Sequence, residues 1–422
     1  MTTEVKEIRE GYKMTELGEI PVEWEVITTG ELFENVSKKG FEELPVLSVT
    51  QEKGVVYRDE LDINIKYDKK SLKNYKLIEP GQFVISLRSF QGGIEYASIK
   101  GISSPAYTVL KPSELVYPEY FKYLFKSFWF IDKLKGTIIG IRDGKQISYS
   151  DFKIIQLLLP PIKEQQKIAE ILTTVDEQIE SIAQLIEKTM ELKNGLLQQL
   201  LTTGIGHTQF KKTALGEIPV AWEVTNFFEH IINILDFRGK TPKKIGMDWG
   251  NGDIPALSAN NVKMGYIDFS AECYLGSEEL YKKWMTKGDL RQGDVLFTME
   301  APLGNVAQVP DNNKYILSQR VVAFKTDDQL NDCYLKYFLM SPHFQMGLEK
   351  NSTGTTAKGI SQKNLSKLKM IIPPLDEQQK IAEILSAVDD QIQSYQQEKA
   401  KYEELKRGLI QQLLTGKIRV TV

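Results

Sequence analysis

The sequence predicts an α+β protein built twice: two mixed α/β globules joined by two long helices with a coiled-coil period, a pseudo-two-fold internal repeat. Three observations carry this. "PPIKEQQKIAEILTTVDEQI" from Pro160 recurs as "PPLDEQQKIAEILSAVDDQI" from Pro373, 213 positions later with 15 of 20 residues identical. "LGEIPVEWEV" from Leu17 recurs as "LGEIPVAWEV" from Leu215, 198 positions later. Between these marks lie short β-rich runs, "FVISLRSF", "VLFTM" and "VVAFKT", bounded by Gly, Pro, Asp and Asn as strands with turns are. A repeat on this scale organises the whole chain. It divides into a globule at 1–159, a helix at 160–204, a second globule at 205–372, and a second helix with its tail at 373–422.

Within each globule the β-rich runs precede a segment with an aromatic helical face, "SELVYPEYFKYLFKSF" in the first and "LNDCYLKYFLMSPHF" in the second. Apolar strand-like runs, "IIQLLLPP" and "MIIPP", lead into the helices. Pro161 and Pro374 suit a first helical turn, where a missing N–H costs nothing, and Glu164, Asp376 and Glu377 complement the positive end of the dipole. Gly204 and Gly416 are placed to stop each helix. Ile168, Leu172, Val175, Ile179, Ile182 and Ile186 follow a 4,3,4,3,4 spacing. Ile381, Leu385, Val388, Ile392, Tyr395, Tyr402, Leu409 and Leu413 keep the same phase, with gaps at Lys399 and Lys406. A period near 3.5 is that of a coiled-coil seam. "TTGIGHTQFKKTA" reads as the linker that opens the second half.

Composition excludes several classes. With 53 basic and 56 acidic residues the formal charge is -3, so any nucleic-acid surface must be local. Residues 163–201 hold four basic and seven acidic side chains and residues 376–415 hold five and eight, which places the acidity in the two helices. Cys273 and Cys333 make no disulfide framework or zinc site, and His207, His230 and His343 have no metal-ligand spacing. The N-terminal stretch has no signal-peptide core and no run of apolar residues is long enough to span a membrane, so a reduced, cytoplasmic setting is expected. Neither a phosphate-binding G-x-x-x-x-G-K-[ST] nor G-x-G-x-x-G, H-E-x-x-H or G-x-S-x-G occurs. No catalytic residues and no metal site are assigned.

What remains are polar loops dense in donors. "RSFQGG" sets Arg88 and Gln91 just after a strand, and the glycine-bearing stretch from Thr137 to Ser148 holds Arg142, Lys145 and Gln146. The matching place in the second half, "NSTGTTAKGIS", carries Thr355 and Lys358, the latter 213 positions from Lys145. "DFRGKTPKK" adds Arg238, Lys240, Thr241, Lys243 and Lys244. "LSANNVK" adds Asn260, Asn261 and Lys263, and "LSQR" adds Gln319 and Arg320. In the first half "SKKGFEELP", with Lys38 and Lys39, stands where the second has "RGKTPKK". Arg, Lys, Asn and Gln read base edges in a major groove, while Ser, Thr and Lys near glycine suit phosphates. A single surface Lys or Arg is more readily read as a solvated charge, and Phe90 and Trp249 as ordinary core, while Asn260 and Asn261 are equally read as a turn.

Two unlike globules, each preceded by "LGEIPV-x-WEV" and followed by "PP-x-x-EQQKIAEIL", resemble the specificity subunit of type I restriction-modification enzymes over essentially the whole chain. The resemblance implies that the globules are target recognition domains, each reading one half of a bipartite, asymmetric site in double-stranded DNA. It implies that the two helices pair as an antiparallel coiled coil, act as a spacer and dock two methyltransferase subunits, with Glu164, Gln165, Glu170, Glu377, Gln378 and Glu383 as candidate docking residues. Where a nuclease exists, two ATP-dependent restriction subunits join. Methylation and cleavage then belong to the partners, and this chain binds no cofactor. The competing expectation, from a different class, is a pair of ligand- or carbohydrate-binding modules on a helical dimerisation rod.

Overall fold

A computed structural model of the chain describes residues 8–421 except 52, 62–68, 87, 88, 90–92, 137–146, 355 and 356. It forms two compact units, Met1–Ala183 with Gln397–Val422, and Gln184–Gln396. Each unit therefore takes in one part of each long helix, whereas the sequence repeats suggest cuts at the helix ends.

Unit 1 opens with the hairpin Tyr12–Thr15 and Gly18–Pro21, which leads to the fully buried Trp24. Strand Glu25–Thr28 then pairs antiparallel with Gln156–Leu159, the apolar run that feeds the first helix. Four strands form the central antiparallel sheet: β1 (Phe33–Val36), β2 (Phe83–Ile85), β3 (Glu95–Tyr96) and β4 (Thr108–Pro112), in the order β1-β4-β2-β3. Their inner faces and the helix Pro118–Leu124 enclose an aromatic core, with Phe33 5.2 Å from both Phe121 and Phe125. Gly93 is required there. Its φ is +84°, and an added Cβ would lie 2.1 Å from the carbonyl oxygen of Phe125.

Unit 2 repeats the plan. Hairpin Phe210–Thr213 and Gly216–Pro219 precedes the buried Trp222, and Glu223–Asn226 pairs with Lys369–Ile372. Strands β5 (Ile231–Asp236), β6 (Val295–Thr298), β7 (Val306–Gln308) and β8 (Val321–Thr326) again run first, last, second, third across the sheet. The halves differ in length mainly between the first two of these strands. There, 48 positions separate Val36 from Val84, whereas 61 separate the corresponding Asp236 from Phe297. The longer segment brings Trp284 to a second core and supplies strands Ile254–Leu257 and Tyr274–Gly276, the former lying between the latter and Ile316–Leu317, which comes from between β7 and β8.

The long helices span Ile162–Leu200 and Leu375–Leu413, 39 residues each. Pro161 and Pro374 sit just outside them as caps whose carbonyls accept from residues three and four on, one step earlier than the first-turn place expected. Gly204 and Gly416, both at φ +67°, follow the final turns. Within unit 1 Glu164 pairs with Arg419 and Asp176 with Lys406; within unit 2 Glu377 pairs with His207 and Asp389 with Lys193. In each unit the two helical parts thus run antiparallel. The predicted seam is not buried evenly: Ile168, Leu172, Ile381 and Leu385 are fully enclosed, while Ile179, Ile186, Ile392 and Tyr395 are half-buried. The first turns of each helix are part of a globule's own core, where Ile168 and Leu172 cluster with Trp24 and Phe121.

Candidate nucleic-acid interface

In unit 2 three loops meet around an open cleft of about 660 Å3. Thr241 and Lys243 come from the loop after β5, Asn260 and Lys263 from the loop after Ile254–Leu257, and Gln319 and Arg320 from the turn before β8. Six residues proposed from sequence, up to 79 positions apart, are thereby brought together. Asp248 and Glu272 also line the cleft, so it is mixed in charge with a cationic excess.

Local chemistry decides which side chains are available. Asp236 accepts from the backbone N–H of Arg238 at 3.0 Å and from its guanidinium at 2.6 Å, and from Gln362 at 2.9 Å. Burial alone would raise the Asp236 pKa, but these hydrogen bonds and the Arg238 charge hold it below the ordinary aspartate value. Arg238 is therefore a brace for its loop. Lys240 donates to the carbonyls of Lys283 and Trp284 at 2.9 and 2.8 Å, the negative end of helix Glu278–Trp284. Lys244 donates to the Gly239 carbonyl at 2.7 Å. Asn261 is fully buried; its Oδ1 accepts from the backbone N–H and hydroxyl of Ser258, so it shapes the turn and offers nothing outward. Asn260 is exposed, with its amide donating to the Glu272 carbonyl at 3.2 Å. Lys358, exposed, is paired with Glu349.

Sequence reasoning missed the aromatic wall. Trp249, expected as ordinary core, is only half-buried, lines the cleft and stacks on the exposed Tyr274 at 5.4 Å and 7° between planes. The pairing spans 25 positions and leaves no local pattern to find. In unit 1, Lys38 is exposed and pairs with Glu79 at 3.3 Å, and Lys39 is exposed. Arg88, Phe90, Gln91, Arg142, Lys145, Gln146 and Thr355 lie outside the described residues.

The helix residues divide into two groups. Glu164 and Gln165 are 1% exposed and Gln378 0%. Glu164 accepts from the Trp24 indole N–H at 2.9 Å and from Arg419 at 2.7 Å; Glu377 likewise accepts from Trp222 at 2.8 Å and from the backbone N–H of Ile205 at 2.9 Å. Gln165 accepts from the Tyr117 N–H and donates to the carbonyls of Leu115 and Pro160; Gln378 accepts from the Asn331 N–H and donates to those of Gln329 and Pro373. These side chains plug each helix start into its own globule, which corrects their expected place on a docking face. Glu170 and Glu383 are exposed, as are Gln166, Gln379 and Lys380.

Among the described residues no helix is long and apolar enough to cross a membrane, and no cluster of His, Cys, Asp and Glu could hold a metal ion.

Comparison with known proteins places this geometry. The sequence matches the type I restriction modification DNA specificity domain twice, over residues 21–190 and 219–405. It is 29% identical over 420 residues to the type I restriction enzyme MjaVIII specificity subunit of Methanocaldococcus jannaschii, covering 95% of this chain and 94% of that one. Among solved structures, the S subunit of a type I restriction-modification system from M. genitalium aligns over 97% of this chain and 99% of its own, with a TM-score of 0.56 at 14% identity. A chain solved in work on complex assembly and conformational transition of the type I R-M system aligns over 94% and 99%, with a TM-score of 0.58 at 15% identity. At those identities the two structures speak for the fold, and the repeated domain match carries the assignment. The chain belongs to the type I restriction modification DNA specificity family, as a specificity subunit whose role is DNA recognition, with catalysis in other subunits.

Proposed function

We propose that each unit reads one half of a bipartite, asymmetric DNA site, and that the long helices set the gap between half-sites and dock two methyltransferase subunits, joined by two restriction subunits where a nuclease exists. The observation that carries this is the unit 2 cleft, where donors from three loops converge beside a stacked aromatic pair. Base edges in a major groove are read by such side chains, and phosphates by lysines at the rim. Two units of one topology with different loop chemistry support unlike half-sites, and helices of equal length, about 58 Å at ~1.5 Å per residue, support a fixed gap.

Support for docking comes from what the fold leaves unexplained. The identical Glu-Gln pairs at the helix starts are accounted for inside the globules, but Gln166, Glu170 and their copies Gln379 and Glu383 are exposed and still identical. A surface presented twice suits two copies of one partner.

The test is co-expression with the neighbouring methyltransferase subunit, followed by single-molecule sequencing of methylated adenines in the host DNA. A motif of two unlike halves with a fixed gap is expected. A complex that forms but methylates a continuous or symmetric site would overturn the division of labour between the units.

A further inference from the structure

The turn before β8 holds two side chains at the cleft in a fixed attitude. The carbonyl of Gln319 accepts from the N–H of Ala259 at 3.3 Å and that of Arg320 from the N–H of Met299 at 2.8 Å, which ties the tip to two separate loops. Arg320 has φ +67°, in the left-handed region that glycine, asparagine or aspartate occupies at less cost. An arginine kept there against its own preference marks a place where the side chain is needed, and an observed outlier of this kind points toward function.

Elimination among the cations points the same way. Arg238, Lys240 and Lys244 are each engaged within their own loops or with a helix end. Lys243 and Lys263 line the cleft without an ion pair among the described residues, but an ammonium is a point charge suited to phosphate. Arg320 is exposed, and its ion pair with Glu300 is loose, 3.7 Å from Nε with both side chains half open to solvent. A guanidinium offers two parallel N–H groups at the spacing of O6 and N7 on a guanine edge. The same turn in unit 1, 213 positions earlier, carries Ala106 and Tyr107, which lack that fork.

We infer that Arg320 is the guanine-reading residue of unit 2, making a bidentate contact in the major groove at one G·C pair of its half-site. This rests on the DNA-reading function proposed above. The test uses the specificity subunit in complex with its methyltransferase and competition binding to the mapped target and to duplexes substituted in turn at every half-site position. Wild type is compared with R320A, R320K and R320G. The glycine variant suits the left-handed backbone, so it separates recognition from folding.

R320A and R320G are expected to lose on the order of 10- to 100-fold in affinity for the target and to become indifferent to substitution at one G·C pair, with discrimination elsewhere intact. R320K should recover affinity without that discrimination, because it restores charge but not the fork. Uniform weakening on all sequences with a shallower salt dependence would make Arg320 a phosphate contact and overturn the inference, as would unchanged binding or a target with no G·C pair in either half-site. A wild-type complex with no bipartite preference would instead sink the DNA-reading function itself.

Discussion

Asp236 shows how single residues decide what the cleft presents. Its carboxylate takes five hydrogen bonds, four from Arg238 and one from Gln362, so the first basic residue of "RGKTPKK" is consumed in holding the loop that places Thr241 and Lys243. Because its pKa lies below the ordinary aspartate value in the folded chain, it contributes stability above that ordinary value and loses the contribution as pH falls through the lower, folded one. Urea unfolding of D236N should therefore show a deficit against wild type at pH 7 that closes in acid, below about pH 4; an equal deficit at both would deny the ionic role. The sequence identified most of the cleft's polar residues by type, since donors in Gly-rich loops are visible in one dimension. It could not separate free from engaged cations, because the partners of Lys240 lie more than 40 positions away. The stacking of Trp249 on Tyr274, 25 positions apart, was hidden likewise, whereas Asn261 bonds within its own turn, to Ser258, as the turn reading has it.

At the scale of elements, the long helices were the most legible part. Their period, their glycine stops and their 39-residue length follow from local pattern, which the chain states twice. Hidden from that pattern was why "EQ" recurs, since the answer is a set of carbonyls and indoles in the preceding globule. Replacing Glu164 by Ala leaves the buried Trp24 N–H and part of Arg419 without an acceptor, at a cost of about 1–3 kcal/mol in denaturant unfolding. E170K, on an exposed position of the same helix, should leave unfolding unchanged and weaken binding to the methyltransferase in pull-down. The helix pairs Lys193–Asp389 and Lys406–Asp176 are both 2.5 Å long, but the first is the more enclosed, with Lys193 15% exposed against 30% for Lys406. Double-mutant cycles should find the larger coupling in the first and about 1 kcal/mol or less in the second. Gly93, two positions before β3, makes the matching point outside the helices: G93A forces a Cβ into the Phe125 carbonyl at a positive φ and should destabilise unit 1 by more than about 1 kcal/mol.

For the whole molecule, repeats in the sequence announced two of everything, and the equal strand order of the two sheets agrees with that. The partition into units was not legible, because unit 1 is completed by residues 397–422: Leu409, Leu413 and Leu414 enter its core and Arg419 pairs with its Glu164. A chain stopped after Gln396 should lose hydrogen-exchange protection around Trp24 and Ile168 while residues near Trp222 keep theirs. Protection retained at Trp24 would show that unit 1 stands without the end of the chain. The same feature orders events on the ribosome. Unit 2, a continuous stretch, leaves the exit tunnel with all its parts, whereas the globule made first waits, with an apolar face uncovered, for residues 397–422 to be translated. In this protein the globule made first finishes folding after the one made second, so a nascent chain cut short before residue 397 is a product in need of a chaperone.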